Sequence, residues 1–256
     1  MNRRKTLLIT ASVVLVIVAV AVISLTVGRS SSHPDAGSAE PIAGADLSGS
    51  GPGSLVSASK MPDFERTTYA MSMRSARVAY RSTSGDDGSP TVVSGTVFTP
   101  LEQPPPGGWP VVSVGHGTLG WQEDCGPSLS VSLLGEVDTV DGLIKRGYAV
   151  AMTDYQGLGS PGIHPYSDAK TAGLNVIDAV RALRHTFNDV STRWVALGGS
   201  QGGGAAWAAN EQAATYAPEL NMLGSIGLSP AADVTGLVDK AVAGTLTADQ
   251  GPVLQG

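Results

Sequence analysis

The chain has 256 residues, of which 42% are hydrophobic and 15% charged, and its formal net charge is −6. This balance excludes a disordered chain, and a mildly acidic chain with scattered basic residues gives no reason to expect a nucleic-acid partner. Cys125 is the only cysteine, which excludes an intrachain disulfide. It is interpreted as a buried, unreactive thiol. With four histidines, no cluster has the spacing of metal ligands, so neither a metal nor another cofactor is predicted.

The N-terminal segment has the pattern of a membrane anchor. Basic residues at positions 3–5 precede residues 7–27, which contain no charge and no proline. As a helix, this run would span roughly 30 Å, the thickness of the hydrocarbon core of a bilayer. We expect a signal-anchor transmembrane helix over residues 1–29, because residues 27–30 make a poor cleavage site. The rest of the chain would then be extracytoplasmic, on a single-pass cell-membrane protein. Cleavage and secretion are the alternative.

Residues 30–53 are mostly small or polar and are predicted to be a flexible linker. One folded domain is predicted to occupy residues 54–256, a length suited to one large domain. It opens with two segments, residues 76–83 and 91–98, in which apolar and polar residues loosely alternate. A turn cluster separates them, which predicts an antiparallel pair of strands.

From residue 109 onward, short apolar runs alternate with helical patterns. Buried strands are predicted at residues 109–114, 148–153, 194–197 and 223–228. Helices are predicted at residues 137–146, at 167–187 and from Gln201 onward. This alternation predicts an α/β fold with a mostly parallel central sheet covered by helices on both faces.

The strongest chemical signal is the segment GGSQG at residues 198–202, which matches G-x-S-x-G. The pattern alone is weak in a glycine-rich chain, but it lies between a predicted strand and a predicted helix, as a nucleophile elbow requires. Glycines beside the serine allow the strand and the helix to approach each other closely. We therefore predict that Ser200 is a catalytic nucleophile.

A hydroxyl nucleophile needs hydrogen-bond donors for the oxyanion of its intermediate. One donor is expected to be the backbone N–H of Gln201, the residue after the nucleophile. The second is expected from Gly117 or Thr118, in the loop that follows the strand at residues 109–114. His116, in the same loop, is interpreted as a buried residue that fixes the loop rather than as a general base.

Several further segments carry a family pattern: WPVV (109–112), HGT (116–118), CGPS (125–128), GYAV (147–150), DYQGLG (154–159), HPY (164–166), DAVRA (178–182), GSQGGGA (199–205) and YAPEL (216–220). With these segments the chain resembles the secretory lipase family between about residues 77 and 237. The resemblance implies an α/β-hydrolase fold, hydrolysis of carboxylic esters such as triacylglycerols in lipid catabolism, and a small-molecule or lipid ester as substrate.

Asp154 and Tyr155 follow a predicted buried strand at its C-terminal end, where sites form in such sheets. They are expected either to line the substrate pocket or to order the oxyanion loop. The alternative is a turn in which the aspartate caps and the tyrosine packs. His164, in the same loop, is a less favoured candidate for the catalytic base, since the sequence offers no orienting acid.

Chain order departs from the pattern of this fold, in which an acid and then a histidine follow the nucleophile. All four histidines precede Ser200. We expect the triad acid and histidine to lie beyond residue 256, with the last strands and the cap missing or incomplete. Two other functions stay open: a non-catalytic cell-surface module that binds acyl ligands, and a serine peptidase, because peptidases share the elbow. The oligomeric state is not predicted.

Overall fold

The computed structural model describes residues 39–230, 235–248 and 250. The predicted signal-anchor helix at residues 1–29 lies outside them. No helix in the described part of the chain is long and apolar enough to cross a membrane.

The described residues contain one sheet of seven strands in the order β1-β2-β3-β5-β4-β6-β7. The strands are β1 (Leu55–Ser59), β2 (Met73–Thr83), β3 (Pro90–Pro100), β4 (Trp109–Gly115), β5 (Ala149–Thr153), β6 (Val190–Gly199) and β7 (Asn221–Leu228). The helices are α1 (Pro62–Glu65), α2 (Val137–Ile144), α3 (Ala169–Thr186), α4 (Gln201–Tyr216) and α5 (Thr235–Val242). The predicted α/β architecture is confirmed, with element ends shifted by a few residues.

The sheet is mixed. β4 pairs in parallel with β5 and β6, and β6 pairs in parallel with β7. The first three strands extend the sheet by antiparallel pairing, as the hairpin of β2 and β3 predicted. Because the four parallel strands run in the same direction, the loops that follow β4, β5 and β6 meet at one end of the sheet, where these strands terminate.

The sheet has one hydrophobic core on each face, and successive side chains of β4 point alternately into the two cores. Val111 belongs to the core beneath α3 and α4, and the Ser113 hydroxyl donates to the carbonyl oxygen of Val176 in α3 at 2.8 Å. Val112 and Val114 point to the opposite face and pack with residues of α1 and α2. Helices therefore cover both faces, and each fully buried valine contributes about 1.5–3 kcal/mol to folding.

Strand β7 was predicted to be buried, but its apolar side chains are largely exposed. It pairs with β6, and within the described residues it forms the edge of the sheet. Leu223, Ile226 and Leu228 are 54%, 52% and 60% exposed. The apolar composition of the segment indicates a strand, but composition alone does not reveal whether a neighbour covers it.

Residues 40–53 belong to the segment predicted as a flexible linker, and they lie against the domain instead. Ile42 N–H donates to the carbonyl of Ala58 in β1 at 3.0 Å, and Asp46 N–H donates to the carbonyl of His185 at 2.8 Å. Ile42 also packs against the core beneath α3. The linker prediction is therefore corrected for these residues, because Ile42 and Ala45 pack against the core and part of the backbone is hydrogen-bonded to the domain. The folded domain begins near residue 40.

Candidate active site

A tight turn joins β6 to α4 at this end of the sheet. Ser200 has φ 54° and ψ −118°, a conformation that costs a non-glycine residue about 1–3 kcal/mol. Its side chain is exposed, and its backbone N–H donates to the carbonyl of Leu228 at 2.9 Å. The turn thus presents the Ser200 hydroxyl at the N-terminus of α4, in the geometry of a nucleophile elbow.

The loop after β4 lies directly against this turn. A Cβ built on Gly117 would lie 3.8 Å from the carbonyl oxygen of Gly199. No described residue accepts a hydrogen bond from the backbone N–H of Gly117 or Thr118. Gln201 is the first residue of α4, so its N–H has no intrahelical acceptor. These three predicted oxyanion donors therefore belong to two segments that the fold brings together.

His116 is buried, as expected, and is 1% exposed. Its Nδ1 lies 2.6 Å from the carbonyl oxygen of Gly117, and its Nε2 lies 3.2 Å from that of Asp154. Burial lowers the pKa of His116 below its ordinary value, which favours the neutral ring. A neutral imidazole can donate to only one of the two carbonyls. Both ring nitrogens face backbone, so His116 fixes the loop and does not reach Ser200.

Asp154 and Tyr155 are both buried and contact loops rather than an open surface. The Asp154 carboxylate accepts hydrogen bonds from Ser94 Oγ at 2.6 Å and from Ser128 N–H at 2.8 Å. Burial raises the pKa of Asp154, and these hydrogen bonds oppose the rise. The Tyr155 hydroxyl donates to the carbonyl of His116 at 3.0 Å. Of the expected roles, this geometry favours ordering of the oxyanion loop over lining of a substrate pocket.

His164 does not contact Ser200. Its Nδ1 lies 2.9 Å from the carbonyl oxygen of Gln156, and its Nε2 lies 3.0 Å from the side-chain nitrogen of Gln201. The residue is 8% exposed, and burial lowers its pKa below the ordinary 6.5. Because both ring nitrogens are engaged, His164 is not positioned as a general base for Ser200.

Two further polar residues at the site were not identified from the sequence. Asn175 in α3 is fully buried, and its side-chain oxygen accepts from the backbone N–H of Gln156 at 3.0 Å. The Tyr166 hydroxyl lies 3.0 Å from Oγ1 of Thr118. The position of Asn175, among apolar residues on the inner face of a predicted helix, was the signal available for it.

Cys125 is half-buried rather than fully buried and packs against the core, with its sulfur 3.8 Å from a carboxylate oxygen of Asp124. Within the part of the chain that the structure describes, no three histidine, cysteine or acidic side chains are grouped as metal ligands would be.

The sequence and the fold both match lipases. Residues 127–253 match the model of the Secretory lipase family. Lipase A of Moesziomyces aphidis is 33% identical over 115 residues, which cover 40% of this chain and 24% of that protein. The structure of Candida antarctica lipase A aligns with a TM-score of 0.61 and 21% identity, over 74% of this chain and 45% of that one. The rice cell wall degrading esterase LipA from Xanthomonas oryzae aligns with a TM-score of 0.55 and 22% identity, over 69% and 50%.

The chain thus spans about a quarter of the curated relative and about half of each of these solved structures. Within that span it has the strand–turn–helix arrangement around Ser200 and the α/β-hydrolase fold of these lipases and esterases. Over residues 127–253, just under half of its length, the chain is similar to the secretory lipase family.

Proposed function

We propose that this protein is a carboxylic-ester hydrolase of the lipase and esterase type, with Ser200 as the nucleophile. The observation that carries the proposal is the exposed Ser200 hydroxyl, held at positive φ between β6 and α4 and facing the loop after β4. Catalysis proceeds through an acyl-enzyme. Ser200 Oγ attacks the ester carbonyl carbon and gives its proton to a general base. The leaving alcohol takes that proton, and water then releases the acid.

The negative charge that develops on the carbonyl oxygen is stabilised by backbone N–H groups. One is that of Gln201, and the other is that of Gly117 or Thr118. The N-terminal end of α4 adds a favourable dipole at the same point. The general base is neither His116 nor His164, because the ring nitrogens of both face other groups.

The substrate is a lipid ester or another ester with an apolar acyl group. Support comes from the named activities of the relatives and from exposed apolar side chains on the loops after β4 and β5, at the same end of the sheet as Ser200. Trp121 and Leu129, after β4, are 51% and 46% exposed, and Ile163, after β5, is 86% exposed. Apolar surface around a polar reacting centre suits a long acyl chain.

The protein acts outside the cytoplasm, in line with its similarity to a secretory family. We further propose that residues 1–29 form an uncleaved anchor that leaves the hydrolase domain extracytoplasmic. The expected result on fractionation is a membrane-bound protein that retains its N-terminus. Mature protein in the medium that begins near Ser31 would replace the anchor with a cleaved signal peptide.

The test of activity uses the full-length gene product and a series of p-nitrophenyl esters that differ in acyl length. We expect Ser200→Ala to lower turnover by about 10⁶-fold and to abolish labelling by a fluorophosphonate probe. The matched control is Ser57→Ala, at an exposed serine of β1 far from the elbow, and it should behave like the wild type. Equal labelling of Ser200→Ala would exclude Ser200 as the nucleophile.

The same assay distinguishes the two other functions. A serine peptidase would cleave peptide substrates faster than the esters, again in a Ser200-dependent way. A non-catalytic module would bind fatty acids but show neither turnover nor labelling.

A further inference from the structure

A continuous series of hydrogen bonds connects α3 to the first residue of α4. The Asn175 side chain accepts from Gln156 N–H at 3.0 Å, and its amide nitrogen donates to Ser82 Oγ at 2.8 Å. The carbonyl of Gln156 faces His164 Nδ1 at 2.9 Å, and His164 Nε2 faces the side-chain nitrogen of Gln201 at 3.0 Å. None of these groups touches Ser200, but the series ends on its neighbour in the sequence.

The Gln156 carbonyl decides which nitrogen of His164 carries the proton. A carbonyl oxygen can only accept, so Nδ1 of His164 must donate, and the neutral ring then leaves Nε2 as an acceptor. The acceptor at Nε2 in turn requires that the side-chain N–H of Gln201 donate to it. The two contacts are therefore mutually consistent only for the neutral Nδ1–H tautomer.

We propose that His164 is a positioning residue for the oxyanion hole. As the Nδ1–H tautomer it holds the side chain of Gln201, and thereby the orientation of the Gln201 backbone N–H toward the reacting carbonyl. This inference rests on the proposed function. A donor in an oxyanion hole stabilises the transition state only if it is held within about 0.5 Å and 10–20° of the required geometry. The peptide that carries the Gln201 N–H is held on its other side by the hydrogen bond from Gly204 N–H to the Ser200 carbonyl at 3.1 Å, and the Gln201 side chain gives it a second fixed point.

The support itself is rigid. Asn175 is fully buried, and the Gln201 and His164 residues are each 8% exposed. The loop between Gln156 and His164 is tightly closed, since a Cβ on Gly157 would lie 2.4 Å from the backbone nitrogen of His164. The position of the ring is thus determined by the fold, and Gln201 adapts to it.

Protonation of His164 would break the contact with Gln201. The cationic ring has no acceptor at Nε2 and would direct an N–H against the donor of Gln201, so the side-chain amide would have to rotate to offer its oxygen instead. The titratable groups that face the ring are Tyr155 and Tyr166, at 6.1 Å between ring centroids, and His116 from the loop after β4. Burial and His116 lower the pKa of His164 below 6.5, so the neutral ring and the contact are retained at neutral pH.

The experiment measures ester hydrolysis by the full-length protein against pH. His164→Phe keeps a ring but neither hydrogen bond, and we expect kcat to fall about tenfold or more with KM changed less than about threefold. Gln201→Met keeps the backbone N–H and removes the side-chain donor, and it should reproduce this loss. The double variant should lose no more than either single variant, because both act through one contact.

His164→Gln is the conservative rescue. Its amide oxygen can accept from Gln201 and does not titrate, so kcat should stay within about threefold of the wild type, and the decline of kcat below pH 6.5 that His164 causes should disappear. Wild-type kcat in His164→Phe, or multiplicative losses in the double variant, would overturn the proposal.

A readout without turnover separates this inference from the proposed function. Nitrogen-15 NMR of the histidine rings should show His164 protonated at Nδ1 and bare at Nε2 at neutral pH, with the Nε2 signal shifted in Gln201→Met. The opposite tautomer would overturn the proposal even in an active enzyme. A wild type without Ser200-dependent hydrolysis would instead be a failure of the proposed function.

Discussion

Gly202, at the start of α4, lies so close to Gly115, at the end of β4, that there is no room for a side chain on residue 202. A Cβ there would lie 1.9 Å from the carbonyl oxygen of Gly115 and 2.7 Å from that of His116. Both neighbours are backbone atoms, one in the last residue of β4 and one in the loop that leads to the proposed oxyanion donors, so they cannot move aside independently. This close contact holds the loop after β4 against the turn at Ser200.

Gly202→Ala is therefore expected to separate the two segments or to strain them. We expect a loss of about 3 kcal/mol of stability, which corresponds to roughly 10 °C in Tm, together with loss of fluorophosphonate labelling at Ser200. Calorimetry and labelling of the same sample measure both. Gly51→Ala is the control, since a Cβ there meets nothing within 4 Å and should change stability by less than about 0.5 kcal/mol. A stable, fully labelled Gly202→Ala protein would contradict the close approach.

The hydroxyl of Tyr155 supports the same loop through its hydrogen bond to the His116 carbonyl. Tyr155→Phe keeps the ring and should cost about 1 kcal/mol of stability and lower kcat about tenfold, because the loop loses a fixed point beside the oxyanion donors. Tyr216→Phe removes a hydroxyl that donates to Asp178 at the far end of α4. It should cost similar stability and leave kcat unchanged, and equal kcat values in the two variants would argue against loop ordering by Tyr155.

Asp178 gives the stability of the domain a pH dependence. Burial raises its pKa from 3.8 to about 6, against hydrogen bonds from Ser82, Arg181 and Tyr216. Between these two values the folded protein holds a proton that the unfolded chain has released. The contribution of Asp178 to stability therefore falls as pH rises from about 4 to 6 and is constant above that range, with a total change of about 3 kcal/mol.

Asp178→Asn removes this titration, so wild-type stability relative to the variant should decrease by about that amount over the same range. Urea unfolding of both proteins at several pH values measures the difference, in which the other carboxyl groups cancel. Parallel pH profiles would show that Asp178 titrates alike in the folded and unfolded states.

The segment at residues 40–53 contributes to the domain rather than only leading to it. Deletion of residues 1–39 should leave Tm unchanged. Deletion of residues 1–53 should lower stability by about 2–4 kcal/mol, because several backbone hydrogen bonds and the packing of Ile42 are lost. Thermal unfolding of the two truncated proteins makes the comparison. Equal Tm values would restore the interpretation of the whole segment as a linker.

Local pattern was sufficient for the central part of the fold. Short apolar runs predicted β4, β5 and β6, and helical periodicity predicted α2 and α3. The serine between glycines predicted the turn at Ser200, because a strand and a helix joined by so short a connection need small residues on both sides. These features depend on residues that are neighbours in the chain, so their pattern can be read from the sequence.

Contacts between distant segments required the tertiary structure. β1, the packing of residues 40–53 and the exposure of β7 depend on which segment lies alongside, and sequence patterns carry no such information. The connection from Asn175 to His164 and Gln201 joins α3, the loop after β5 and α4, and each residue alone is an ordinary polar side chain. The sequence by itself therefore determined the order of the elements and the candidate nucleophile. Only the tertiary structure decided which buried polar groups support it, because hydrogen-bond partners are selected by proximity in space.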